Sequence, residues 1–360
     1  MRRLRILLPT LALALMPALL PAGVLAADTP PAAAPVPTGM QVRFAGSGGI
    51  PLAGTLTLPD AAAFPAPVPA VLLLQGSGPT DRDGNQPENG LRTDLLRRIA
   101  DLLAGTGIAS LRYDKRGLHA NGATLPADRR QYPVFFSWQG FVGDALAARA
   151  FLAGQPGIAP GRVALLGHSE GGLIALAAAT SLQRQGLTPA ALVLAATPGR
   201  PLGGIIEDQI RRILQMQNAT PEQERFVLSA NSRIITEIQA TGRVPDTVPP
   251  GLAVFYPPYA GPYMKAVMAF DPAAAARFYA GPVLLLQGAA DVQVSATADA
   301  LALDAALLKR GHDDHRLLIA PQVSHNLKDV RDETEPGLEG PLNAAIAAQL
   351  ADWLAVRLRP

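Results

Sequence analysis

The sequence predicts an α/β domain: a mostly parallel central sheet with helices on both faces and a helical cap inserted late in the chain. Three observations carry that expectation. Short apolar runs bounded by turn residues alternate with segments of helical periodicity through most of the 360 residues. The apolar runs need not alternate with polar residues, as suits strands covered on both faces. Hydrophobic residues make up 49% of the chain against 17% charged, enough to build a large core.

The elements follow in order. MRRLR and the apolar run after it, with small residues before a cut after Ala26, read as an export signal over 1–26. Pro9, Pro17 and Pro21 weigh against the alternative, an uncleaved membrane anchor. A periplasmic or secreted location follows, with no stable membrane insertion once the signal is removed. Residues 27–39 are proline- and alanine-rich and read as a disordered linker. MQVRF and IPLAGTLTLP are strands joined across AGSGG. APVPAVLLLQ, IASLRYD, RVALLG, ALVLAA, PVLLLQG and HRLLIAP are the remaining strands. LRTDLLRRIADLLAGTG, FVGDALAARAFLAGQPG, GGLIALAAATSLQRQG, SATADALALDAALLKRG and PLNAAIAAQLADWLAVRL are the helices between and after them. Residues 201–279 break the alternation with amphipathic helices and a proline- and tyrosine-rich loop, leaving 40–200 and 280–360 as the core domain. Thr220, Pro221 and Gln223 spell a helix start with a capping box.

Composition excludes several classes. There is no cysteine, so disulfides, thiolate metal sites and a cysteine nucleophile are all absent. Basic residues number 31 against 29 acidic ones and are scattered, which offers no nucleic-acid patch.

The chemistry centres on VALLGHSEGGLIALAAA, residues 163–179. A serine on a sharp strand-to-helix turn needs glycines two positions before and after it. Gly167 and Gly171 flank Ser169 in that G-x-S-x-G spacing. A serine hydroxyl needs a base. Of five histidines, His325 follows the last strand, where it reaches the serine. His168 is expected to diverge from Ser169, His312 and His315 lie in a charged loop, and His119 sits in a loop without clear anchorage. Asp291, after the strand PVLLLQG, is the acid that orients the base. Asp304, Asp313 and Asp314 are its rivals. The backbone N–H of Glu170 is one expected oxyanion donor; Ser77, with Gly76 next, is the other. Neither a metal nor an organic cofactor is needed. Phe255, Tyr256, Tyr259, Tyr263 and Met264 suggest an apolar substrate-binding pocket in the cap, or ordinary cap core.

Together these residues resemble the α/β-hydrolase superfamily, and within it the bacterial serine esterases and peptidase-like hydrolases that combine GSGPxDRDG, RYDKRG and GHSEGG. Here those blocks are 76–84, 112–117 and 167–172. The resemblance implies acyl transfer on a small-molecule ester of small to medium acyl chain. A serine aminopeptidase and a non-catalytic binding protein on the same scaffold are the alternatives, and no acid, Glu207 and Asp208 included, stands out as an amine holder. Gln75 departs from the histidine that many members carry before the glycine, so the bracing of that loop is open. Asp81, Arg82, Asp83, Lys115 and Arg116 are expected either to form a polar network beneath the site or to be solvated surface charge. Oligomeric state is not readable.

Overall fold

The computed structural model describes residues 39–311, 314–332 and 334–359. The expected export signal and all of the expected linker but Gly39 lie outside them, as do His312 and Asp313. Eight strands form one sheet: β1 (Met40–Ala45), β2 (Pro51–Thr57), β3 (Val68–Leu74), β4 (Ala109–Tyr113), β5 (Ile158–His168), β6 (Leu192–Ala195), β7 (Val283–Gly288) and β8 (His315–Ala320). Their order across the sheet is β1-β2-β4-β3-β5-β6-β7-β8. The first two strands pair antiparallel, as does β2 with β4; every pairing from β4 to β8 is parallel.

The helices are α1 (Leu95–Gly105), α2 (Tyr132–Phe135), α3 (Trp138–Ala153), α4 (Glu170–Arg184), α5 (Leu202–Met216), α6 (Pro221–Thr241), α7 (Gly261–Ala269), α8 (Pro272–Phe278), α9 (Leu301–Lys309) and α10 (Ala344–Arg357). Both faces of the central strands are buried, and side-chain alternation divides the core in two. Val71 and Leu73 of β3 with Ala164 and Leu166 of β5 join Ile99 of α1 and Leu350 of α10 on one face. Leu72, Leu74, Val163 and Leu165 join Ala145 of α3 and Leu176 of α4 on the other. Each fully buried leucine contributes roughly 1.5–3 kcal/mol, so these runs are apolar throughout because neither face meets water.

α5 to α8 stand between β6 and β7. α6 starts with the capping box read from sequence: Thr220 Oγ1 accepts from Gln223 N–H, and Gln223 Oε1 accepts from Thr220 N–H. Two local features differ from the sequence reading. The helix expected over 295–311 begins with a π turn at Ala296–Ala300. There Asp299 turns inward, accepting from the N–H groups of Gly199 and Ser295 and from Arg200. The stretch between β4 and α3, left without elements by the sequence, holds the 3-10 turn His119–Thr124 and the four-residue α2. Both are too short to show a period, although Phe135 and Phe136 are buried. Among the described residues no helix is long and apolar enough to cross a membrane.

Candidate active site

Four strands deliver the site from their carboxyl ends. β3 runs into Gln75 and Gly76, β5 into Ser169, β7 into Asp291, and β8 into His325. β3 lies where chain order reverses across the sheet, with β4 on one side and β5 on the other. Such a switch point opens a crevice at the strand ends.

Ser169 has φ 55° and ψ −123°, a conformation that non-glycine residues rarely hold. The turn is held by Ser169 N–H donating to Ala195 O at 2.9 Å and by Gly172 N–H donating to Ser169 O at 2.9 Å. The flanking glycines are a steric requirement. A Cβ on Gly167 would lie 2.1 Å from Gly171 O, and one on Gly171 would lie 2.2 Å from Leu74 O. Both obstacles are backbone and cannot yield. α4 starts at Glu170, so its N-terminal end is aimed at the turn and favours negative charge there.

His325 Nδ1–H donates to Asp291 Oδ2 at 2.8 Å. Asp291 is itself fixed: Gln287 Nε2 donates to Oδ2 at 2.9 Å, and the N–H groups of Gln293 and Val294 donate to Oδ1 at 2.8 and 3.0 Å. Burial works against the Asp291 charge. The His325 charge and these hydrogen bonds outweigh it, and the carboxyl sits below its usual range. With Nδ1 donating to the carboxylate, the neutral ring has Nε2 as its acceptor, the form a general base requires.

The sequence gives His168 no role, yet its ring packs against His325 with centroids 4.7 Å apart. His168 Nε2–H donates to the His325 carbonyl at 2.8 Å, which ties the loop carrying His325 to the strand that runs into Ser169. A carbonyl only accepts, so Nε2 of His168 carries a proton. Burial, then the charge of His325, pushes its pKa down to about 3. An unfolded chain protonates this ring below about 6.5 while the folded protein does not. Its contribution to stability is therefore complete above pH 6.5 and is lost as pH falls toward 3, by up to about 1.4 kcal/mol per pH unit. Melting temperature between pH 6.5 and 4 should fall more steeply for the natural protein than for His168→Gln, whose amide still donates to the carbonyl. Equal slopes would contradict this.

His119 and His315 are engaged elsewhere. His119 is anchored after all, with Nε2–H donating to Pro79 O at 2.7 Å. His315 opens β8, where it is largely buried and 3.1 Å from Asp304. Among the acids weighed against Asp291, Asp304 thus faces His315, and Asp314 pairs with Arg357. Among the described residues no group of three potential ligands is placed to hold a metal ion.

Ser169, His325, Gly76 and Ser77 line one cavity of about 290 Å³. Leu91, Leu95, Leu96, Ile213, Met216 and Phe255 supply much of its apolar wall. Ser169 and Ser77 also line a second pocket of about 30 Å³, with Glu170, Leu173, Leu202, Ile205, Tyr263 and Val267. Of the five cap residues expected to bind substrate, Phe255 thus faces the larger cavity and Tyr263 the smaller. The other three belong to the packing of the insertion. Tyr256 is buried and donates to Asn231 Oδ1, Tyr259 packs edge-on to Tyr132, and Met264 is buried beside them in the same apolar cluster. Apolar and aromatic character cannot separate a pocket wall from the core behind it.

The charged cluster also resolves differently from either expectation: it is paired, but not within itself. Arg82 binds Asp114 through Nη2 at 2.7 Å, Asp83 binds Arg112 at 2.6 Å, Arg116 binds Asp144 at 2.7 Å, and Lys115 binds Glu170 at 2.8 Å. Asp81 instead shapes its own loop, accepting from the N–H groups of Asp83 and Asn85. The partners Asp114, Arg112, Asp144 and Glu170 were not anticipated. Gln75 is buried, and its Nε2 donates to Tyr113 O at 2.9 Å, which braces the loop after β3.

Comparison with known proteins agrees with this architecture. The thioesterase domain family matches residues 142–232. Esterase EstD of Thermotoga maritima is 26% identical over 308 residues, covering 84% of this chain and 65% of that protein. The chain thus spans just under two thirds of that curated relative. Among solved structures, the 2,6-dihydroxy-pseudo-oxynicotine hydrolase superposes with a TM-score of 0.52 at 17% identity, covering 89% of this chain and 68% of that one. Est1E from Butyrivibrio proteoclasticus does so with a TM-score of 0.51 at 16% identity, covering 88% of this chain and 96% of that one. At such identities the structural likeness speaks to the fold.

Proposed function

We propose that this chain, an α/β-hydrolase by fold, is a serine hydrolase that cleaves carboxylic esters of small to medium acyl chain. One observation carries the reading most: His325, hydrogen-bonded to Asp291 at 2.8 Å, lines the same cavity as Ser169 on its strained turn.

In this reading Ser169 Oγ attacks the ester carbonyl while His325 Nε2 takes its proton. Asp291 stabilises the imidazolium, and the N–H groups of Ser77 and Glu170 receive the tetrahedral oxyanion. Collapse breaks the C–O bond, and His325 returns the proton to the leaving alcohol. Water then repeats the sequence on the acyl-enzyme, releasing the acid and restoring Ser169.

The two pockets bear on which half of the ester goes where. His325 lines the larger one and not the smaller, and the leaving alcohol must lie beside the group that protonates it. The acyl chain then enters the pocket walled by Leu173, Leu202, Ile205 and Val267. An aminopeptidase would need a carboxylate available to a substrate amine. The acids lining the two pockets, Glu335 and Glu170, are instead paired with Arg331 and Lys115.

The test is a p-nitrophenyl ester series from acetyl to octanoyl, run beside aminoacyl anilides. The kcat/KM should peak at the short end and fall about 5- to 150-fold by octanoyl, since overfilling a close-packed pocket costs about 1–3 kcal/mol. Anilides should turn over far more slowly. Anilide turnover matching the best ester would support the peptidase reading instead.

A further inference from the structure

We propose that Lys115 is a positioning residue for the oxyanion donors, an inference that rests on the esterase reading above. Its side chain is 7% exposed, and its ammonium meets three acceptors: Gly76 O at 2.7 Å, Glu170 Oε2 at 2.8 Å and, more distantly, Gly78 O at 3.4 Å. An ammonium has three N–H donors, so this buried charge is fully engaged.

The acceptors lie on the two elements that present the oxyanion donors. In a trans peptide the carbonyl and the following N–H point in opposite directions. Holding Gly76 O toward Lys115 therefore turns the Ser77 N–H the other way. Ser77 and Ser169 line both pockets, and a Cβ on Gly76 would touch Ser169 Cβ at 3.4 Å, so this peptide lies directly beside the nucleophile. A cation on the carbonyl also polarises the amide and strengthens its N–H as a donor. The second acceptor, Glu170, carries the other donor N–H. Its remaining oxygen, Oε1, accepts from Tyr263 OH on α7. One ammonium thus ties the loop after β3 to the start of α4, and Tyr263 extends the tie to the helical insertion.

Gly76 and Gly78 give this loop freedom to rotate, with Gly78 at φ 76°. Without Lys115 the 76–77 peptide has alternative orientations, and the Ser77 donor is lost for part of the time. Removing one oxyanion donor costs about 100- to 1,000-fold in kcat.

The experiment uses Lys115→Met alone and with Glu170→Gln. The double variant removes both charges, so no unpaired carboxylate is left buried. In the double variant kcat for a short-chain ester should fall about 10- to 1,000-fold with KM within about twofold. The inhibition constant of a trifluoromethyl ketone, whose hemiketal oxygen occupies the oxyanion position, should rise by the same factor as kcat falls. The melting transition should remain cooperative. A folded double variant with unchanged kcat and unchanged ketone affinity would overturn the proposal. Failure of the underlying reading looks different: the natural protein itself would show no ester turnover.

Discussion

Ser169→Ala is expected to lower kcat on a short-chain ester about a million-fold while leaving the fold intact. The size follows from the unit to which the hydroxyl belongs. Without it there is no acyl-enzyme route, and what remains over the uncatalysed rate comes from binding and the oxyanion donors. The absence of a stability cost follows from the local structure. The Ser169 side chain makes no capping hydrogen bond at the start of α4, and the turn is held by backbone bonds to Ala195 and Gly172 that alanine keeps. Unfolding by urea should change by no more than about 0.5 kcal/mol, the scale of substitutions that touch no packed or paired feature. The measurement is a single-turnover assay beside a denaturation curve. Near-normal turnover in a folded variant would remove Ser169 from the reaction.

Asp291→Asn is expected to cost about ten-thousand-fold in kcat, and the structure gives the reason. The N–H groups of Gln293 and Val294 both donate to Oδ1, so the asparagine oxygen must take that place. Its NH2 then faces Nδ1 of His325 and Nε2 of Gln287, where the carboxylate accepted from both. The clash at His325 is relieved if the ring moves its proton to Nε2, whereas Gln287 Nε2, which also donates to Gly288 O and Val294 O, loses this acceptor. That tautomer cannot accept the proton of Ser169. The variant should fold and bind substrate with KM little changed, so that the loss falls on kcat. Nitrogen-15 shifts of the imidazole would show the proton on Nε2. Retention of the Nδ1–H form with normal kcat would mean that Asp291 does not set the base.

What the sequence made legible is what local pattern encodes. All eight strands and the long helices follow from apolar period and turn residues. Placement of Ser169, Asp291 and His325 after strand ends follows from those strands. What stayed hidden depends on distant pairing. Arg116 and Asp144 are 28 residues apart and Lys115 and Glu170 are 55 apart, and nothing near either residue announces the partner. The sequence marks the backbone N–H of Glu170, while its side chain proves to be half of a buried ion pair. The turn directs the His168 side chain away from Ser169, and only the folded loop after β8 brings a carbonyl to its ring. Tyr256, Tyr259 and Met264 show the same limit from the apolar side. A layer of helices has a core and a pocket wall of identical composition, and only coordinates divide them.

The most direct test of the central claim is a fluorophosphonate probe applied to the folded protein, with the adduct located by peptide mass. The expected result is one modified residue, Ser169, with labelling abolished in Ser169→Ala and slowed by orders of magnitude in His325→Ala. Labelling at another residue that persists in Ser169→Ala, or ester turnover by a protein the probe leaves unmodified, would contradict a nucleophile at Ser169.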